Sequence, residues 1–245
     1  MIKAKIVPFL MFPSILSQSI LATVCLSCRA MNSFASIPLR RAAVAQLCST
    51  TSKLQNLADV AKCAGQAKQE GASMLFLPEC FGFIGANSQE TLENAEPPIM
   101  EDDSKNEDSV REYLAQIVFS STHASLETTT DFPELDHANM KGKVALLDGL
   151  RTIAQESGLW ISAGGMHESG APSANGDKIS RVYNSHVILD NNGIIKALYR
   201  KSHLFDVSIP GKVSLQESIT TAPGTKLVVC DSPVGTFKVE TRERV

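Results

Sequence analysis

The sequence predicts a mixed α/β fold, with a parallel crossover near its start and antiparallel hairpins towards its end. Two observations carry this. A short apolar run, a helix-period stretch and a second apolar run follow one another within roughly 35 residues, the order of a parallel crossover unit. Further along, two apolar runs flank Asp190-Asn191-Asn192-Gly193, a strong hairpin signal.

Taken in order, Ala42 to Leu47 is a short run of strand type. Thr51 or Ser52 can cap the helix that follows, in which Leu54, Leu57, Ala61 and Ala64 recur at spacings of three and four. Gly71 stands where a left-handed residue would end it, and Ser73 to Leu77 then predicts a fully buried strand. From Glu93 to Lys143 no period is sustained. Glu101, Asp102, Asp103, Glu107 and Asp108 crowd around Lys105, and Ser120 to Thr130 is rich in Ser and Thr. Only Val110 to Val118 suggests a helical turn or two, so an exposed insertion or disordered loop is expected over about 97–143, its acidic run a solvated face. Order resumes with the helical stripe Leu146, Leu147, Leu150, Ile153 and Ala154, ended by Gly158. Leu159 to Ala163 predicts a strand closed by Gly164 and Gly165, and Arg181–Leu189 with Ile194–Tyr199 form the hairpin. After a loop containing Pro210-Gly211 and Pro223-Gly224, Leu227–Cys230 and Phe237–Val239 pair around Ser232-Pro233-Val234-Gly235.

At 245 residues, 43% hydrophobic and 20% charged, the composition is that of an ordinary globular chain. The net charge of −3 conceals an asymmetry, because Lys3, Lys5, Arg29, Arg40, Arg41 and Lys53 all precede the first acid, Asp59. The folded part therefore keeps no basic footprint, which excludes a nucleic-acid partner. An acid-free N-terminus with Ser and Arg predicts a transit or leader segment over 1–40, addressed to a chloroplast or mitochondrion. The uncharged run Ile6 to Cys25 also suits a secretory signal, while Pro8, Pro13 and Ser17-Gln18-Ser19 weaken the case for a lasting membrane helix. Initiation at Met31 would give a leaderless cytoplasmic form. Of six cysteines, Cys25 and Cys28 form a C-x-x-C with no second pair to complete a zinc site. Cys48, Cys63, Cys80 and Cys230 lie among apolar residues, so buried thiols in a reducing compartment are expected, without disulfides.

Three ionisable residues fall where elements end. Glu79 follows Leu75-Phe76-Leu77-Pro78, so a buried strand would deliver its carboxylate to the C-terminal rim of the sheet, the usual ligand side of open α/β sheets. Lys201 ends a hairpin strand, and Glu217 lies in a polar loop after Pro210. Each alone has an ordinary explanation: a Glu after Pro is often a cap or surface residue, and a Lys beside an Arg is usually solvated.

Their local words change that. Phe76-Leu77-Pro78-Glu79-Cys80-Phe81, the Gly164-Gly165-Met166-His167-Glu168 run, Val182 to Leu189, Tyr199 to Gly211, Gln216-Glu217-Ser218 and Ser232 to Gly235 occur in this order. Together they resemble the nitrilase superfamily of carbon-nitrogen hydrolases, in its branch of deaminated glutathione amidases and omega-amidases. The Gly-Gly-x-His-Glu word favours the former. The resemblance covers Arg41 to about Ser88 and Leu146 to Gly235.

The resemblance implies a four-layer α-β-β-α sandwich and hydrolysis of amides by a Glu–Lys–Cys triad, with neither metal nor cofactor. A thiolate attacks the carbonyl and forms a thioester that water cleaves. The general base, which on this resemblance needs a pKa moved towards neutrality by burial, matches Glu79. The lysine that faces the oxyanion matches Lys201, and Glu217 matches a second glutamate that positions it. The implied substrate is deaminated glutathione or a similar small 2-oxo acid amide, and family members commonly form homo-oligomers.

The nucleophile has no match. After Ser-Pro-x-Gly the family strand continues into a Cys-Tyr-Asp word, whose cysteine would fall on Arg242. The sandwich is therefore expected to be incomplete over 41–245, lacking roughly its last third. Cys80 adjoins Glu79, but in extended chain successive side chains point apart, and Cys230 lies twelve positions early; both are expected as core thiols. Three readings stand: an amidase whose product extends beyond Val245, a non-catalytic subunit or binding module, and a non-functional splice product in which the 97–143 segment and the charged tail are foreign.

Overall fold

Residues next to each other in the strand runs serve two different cores, which is why the runs are apolar without alternation. In the computed structural model, which describes residues 3–8, 40–99, 108–123, 144–171, 181–209 and 213–239, Ala43, Leu75, Val187 and Leu189 enter one hydrophobic cluster. Their neighbours Ala42, Met74 and Ile188 enter another on the opposite face.

The strands are β1 (Lys3–Pro8), β2 (Arg41–Gln46), β3 (Met74–Leu77), β4 (Trp160–Ala171), β5 (Arg181–Leu189) and β6 (Ile195–Arg200), hydrogen-bonded in that order as one sheet. β2, β3 and β4 run parallel; β1, β5 and β6 join antiparallel. Helix α1 (Lys53–Gln69) makes the crossover from β2 to β3. Ser52 caps it by accepting from the Gln55 N–H. Beyond its C-cap, Glu70, the chain closes with two reverse bonds: Gly71 N–H to Lys68 O and Ala72 N–H to Ala67 O, both 2.9 Å, with Gly71 left-handed at φ +74°. A short helix, α2 (Ser88–Glu93), follows β3.

The segment expected to be an exposed insertion contains a structural helix instead. α3 (Asp108–His123) sets Val110, Tyr113, Leu114, Ile117 and Val118 into the same core as α1 and α4 (Leu146–Ser157). Those five positions are a helical stripe, masked in the sequence by the acids before it and the Ser/Thr run after it. The remainder of 97–143 outside Pro97–Ile99 and α3, including the acidic cluster around Lys105, lies outside the described residues or their side chains.

Two further expectations change. The strand after α4 does not stop at Gly164-Gly165 but continues to Ala171, with a register shift between Ala163 and Met166 that holds both glycines. The loop around Pro210-Gly211 is flanked by a two-stranded ribbon, β7 (Asp206–Ile209) with β8 (Val213–Gln216). The last ribbon, β9 (Val228–Ser232) with β10 (Gly235–Val239), lays Cys230, Val234 and Val239 over Ile188, Ala197 and Tyr199. The described residues thus stack as helices, sheet and ribbon.

Within the expected leader, Lys3–Pro8 pairs with β2 as the outer strand, from Lys3 opposite Gln46 to Pro8 opposite Arg41. Residues 9–39, with Cys25, Cys28 and Met31, lie outside the described residues, as does Arg242. None of Cys48, Cys63, Cys80 and Cys230 is in a disulfide. Cys63 and Cys230 are buried as expected, whereas Cys48 is exposed and Cys80 half-buried.

Candidate active site

The parallel strand β3 ends at Leu77, and Pro78 carries the chain onto the rim, where Glu79 emerges. At Cys80 the backbone turns left-handed, φ +55°, and its N–H donates to Gly165 O at 2.9 Å. The alternation expected of an extended chain therefore fails here, and Cys80 walls the same cleft as Glu79 instead of entering the core. Opposite, Gly165 is itself at φ +54° in the β4 bulge. A Cβ there would come within 2.6 Å of Asn184 Oδ1 and 2.7 Å of Glu79 Cγ, so only glycine allows this approach.

The β5–β6 hairpin supplies the next two groups. Just past β6, the Lys201 N–H donates to Asn184 O at 2.8 Å, setting the two side chains next to each other. Glu217 is the first residue of a 3-10 turn that follows β8. That turn is tied to β5 by Val182 N–H to Thr220 O at 2.9 Å and Ala222 N–H to Val182 O at 2.8 Å. The Phe205 N–H holds Glu217 Oε2 at 2.7 Å.

The three residues singled out in the sequence converge. Lys201 Nζ lies 3.1 Å from Glu79 Oε1 and 3.0 Å from Glu217 Oε2, and its side chain is 1% exposed. Burying one ammonium costs several kcal/mol, while a single ion pair near 4 Å returns about 4 kcal/mol at an effective dielectric near 20. Two carboxylates are therefore what keep the charge. Burial would lower the lysine pKa, but hydrogen bonds to Glu217 and Glu79 outweigh it and hold it above the ordinary value. Ammonium has three donors and meets two carboxylates among the described residues, which leaves one N–H for a ligand.

Two neighbours were legible only as letters in the family words. Asn184 Nδ2 donates to Glu79 Oε1 at 2.5 Å and reaches Glu217 Oε1 at 3.4 Å. Its Oδ1 is buried with no hydrogen-bond partner among the described residues, an arrangement that costs about 1–3 kcal/mol. The polar run Asn184-Ser185-His186, inside a strand that ends in the apolar Val187-Ile188-Leu189, was the available signal. His167 sits on the cleft wall; burial pushes its pKa down, against the pull of Glu217 and Glu79, so it is uncharged at neutral pH. The cleft measures about 580 Å³, and Thr91, Thr220 and Thr221 extend its polar wall. Among the described residues no group of His, Cys, Asp and Glu converges as a metal site.

The sequence pattern of the carbon-nitrogen hydrolases matches residues 41–241. The chain belongs to that family. Among its relatives, the deaminated glutathione amidase of Bos taurus is 33% identical over 207 residues, covering 84% of this chain and 47% of that protein. That of Dictyostelium discoideum is 32% identical over 200 residues, covering 80% and 53%. The chain thus spans about half the length of the curated relatives it matches. The crystal structure of the NitFhit protein of Caenorhabditis elegans matches at a TM-score of 0.51 and 27% identity, over 79% of this chain and 35% of that one. The nitrilase-type α/β fold implied by the sequence words is borne out.

In this family member a second ion pair, built on a fully buried carboxylate, adjoins the first. Glu168, 0% exposed, accepts from Arg200 Nη2 at 2.5 Å and Nε at 2.8 Å, from Ser185 Oγ at 2.5 Å and from Ile99 N–H at 3.0 Å. Burial would raise its pKa; the Arg200, Ser185 and Ile99 hydrogen bonds outweigh it and hold the carboxyl below its usual range. Glu96 does similar work beside it. Its Oε1 pairs with Lys53 Nζ at 2.5 Å, and its Oε2 caps α4 through the Leu146 N–H at 2.8 Å. Its backbone brackets β4, with the Glu96 N–H on His167 O and the Ser169 N–H on Glu96 O.

Proposed function

We propose that the chain carries the base and the oxyanion-facing lysine of an amidase for small 2-oxo acid amides of the deaminated glutathione type. We propose further that these 245 residues bind such an amide without turning it over. The observation that carries the reading is the Lys201 ammonium, buried between Glu79 and Glu217 behind the cleft wall, with one donor to spare. In this reading Glu79 takes the proton of an attacking thiol and passes it to departing ammonia, while the spare Lys201 N–H meets the oxyanion. Glu217 keeps the lysine charged and in place. The names of the relatives support the amide as substrate.

The thiol is the part without a candidate, because Arg242 stands at the position that the resemblance gives to cysteine. A product with a Cys-Tyr-Asp strand in place of the charged tail would supply it, and association with copies that carry the thiol would make this chain a non-catalytic subunit. The test is to measure binding of a 2-oxo acid amide by ligand-observed NMR, and ammonia release, beside a chain extended through a Cys-Tyr-Asp strand. Binding by both, with ammonia from the extended chain alone and its loss on Glu79→Gln or Lys201→Met, is the expected result. Ammonia from the short chain, abolished by Cys80→Ser, would assign the thiol to Cys80 and overturn the binding-only reading. Silence from the extended chain would overturn the amidase reading itself.

The acid-free composition of 1–40 supports a second, separate proposal, that this segment addresses the protein to an organelle. A reporter fused behind residues 1–40 tests it, and a reporter left in the cytoplasm contradicts it.

A further inference from the structure

The hydrogen bonds around Glu79 are unevenly shared between its two oxygens. Lys201 Nζ at 3.1 Å and Asn184 Nδ2 at 2.5 Å both donate to Oε1. Among the described residues no donor reaches Oε2, although the side chain is 24% exposed and lines the cleft. At Glu217 both oxygens are taken: Oε1 faces Asn184 Nδ2 at 3.4 Å, and Oε2 accepts from Lys201 Nζ at 3.0 Å and the Phe205 N–H at 2.7 Å.

Asn184 is what makes the difference. Its two Nδ2 hydrogens serve the two carboxylates, and the reverse orientation of the amide would turn Oδ1 onto both anions. The orientation is held even though it leaves Oδ1 orphaned against Gly165. A buried acceptor left unsatisfied beside a satisfied donor pair marks a place where stability has yielded to function.

We propose that Asn184 is a positioning residue: by engaging Glu79 Oε1 together with Lys201, it reserves Oε2 as the oxygen that exchanges a proton with a group in the cleft. The role rests on Glu79 being the base. The charged and titratable groups around this carboxylate are Lys201 past β6, Glu217 in the 3-10 turn, His167 on β4 and the Cys80 thiol on the same cleft wall. Asn184 supplies the second contact on Oε1, beside that of Lys201.

The test is alkylation of the whole 245-residue chain with trimethyloxonium, followed by peptide mass mapping. The reagent transfers a methyl cation to a free carboxylate oxygen and leaves as dimethyl ether, so it reads which oxygens are available. Methylation several-fold greater at Glu79 than at Glu217 is expected. In Asn184→Ala the Glu217 ester should rise several-fold relative to that at Glu79, because Glu217 Oε1 has lost its donor. Side-chain NMR of the chain labelled with 15N-asparagine gives a second reading. Both Asn184 NH2 protons should resonate downfield of solvated side-chain amides, and Glu79→Gln should move one of them. Equal methylation of the two glutamates in the unaltered chain, or Asn184 protons at solvated positions, would overturn the proposal. Failure of the chain to bind or hydrolyse amides would leave both readouts as they are, so it would strike the functional reading alone.

Discussion

Arg200 and Lys201 are consecutive cations, each paired with carboxylate inside the fold, yet they belong to opposite kinds of site. Around Arg200 the ledger closes: one guanidinium meets one carboxylate, Glu168 accepts four hydrogen bonds, and the cation also stacks 4.5 Å over the Tyr183 ring. Around Lys201 it does not. Two carboxylates share one ammonium, Asn184 Oδ1 has no partner among the described residues, and the two carboxylates line a cleft. A saturated, balanced pair holds β4, β5 and the Glu96–Ile99 segment together. An unsaturated, unbalanced one keeps capacity for a ligand. The difference teaches that burial of charge alone does not mark a site; unspent hydrogen-bonding capacity does.

The largest expected effect breaks the Arg200 side. Glu168→Gln turns an NH2 group onto donors and leaves Arg200 without a counter-charge, and urea denaturation should show a loss of about 2–4 kcal/mol, discounted for the partial exposure of Arg200. Next comes acid. Burial pushes His186, hydrogen-bonded to Ser162 Oγ at 2.8 Å, down to about 4. The unfolded chain therefore takes up this proton first, and stability should fall by about 3 kcal/mol as pH drops from about 6.5 to 4. His186→Gln should make that fall shallower, with His167, whose pKa burial also pushes down, keeping its own share of it. The carboxyl of Glu168 is depressed in the fold, so its contribution is present above about pH 4.5 and lost as pH falls through the folded value. Glu168→Gln should flatten the lower window and leave the upper one. Two separable acid limbs in denaturation curves of these variants would bear this out, and coincident ones would refute it.

Smaller effects sharpen the Lys201 side. Gly165→Ala forces a side chain into a left-handed residue and against Glu79 and Asn184; a stability loss of about 1–2 kcal/mol with complete loss of amide binding is expected. Glu79→Gln should cost about 1–2 kcal/mol, since Lys201 loses one of its two counter-charges but keeps Glu217, and the amide oxygen can still accept.

Much of this contrast was within reach of the sequence, but not all of it. The parallel crossover, the Asp190–Gly193 hairpin and the last ribbon follow from local pattern, and Glu79, Lys201 and Glu217 converge where the family words put them. What escaped was non-local. The stripe of α3 is apolar only on the face that meets α1 and α4, so its flanking acids and hydroxyls hid it. β4 runs past two glycines because their bulge opens room for Glu79 and Asn184. The left-handed turn at Cys80 reverses an alternation that holds for extended chain. The split of hydrogen bonds between the two oxygens of Glu79 needs three strands and a turn in place before it exists.

The most direct test of the central claim compares amide binding by Glu79→Gln and Glu168→Gln at a temperature where both are folded. Glu168→Gln should bind a 2-oxo acid amide within about twofold of the unaltered chain. Glu79→Gln should bind it about tenfold more weakly, the worth of a charge-assisted hydrogen bond. If the two variants lose binding equally, or if Glu79→Gln binds as the unaltered chain does, the unsaturated cluster is not the site.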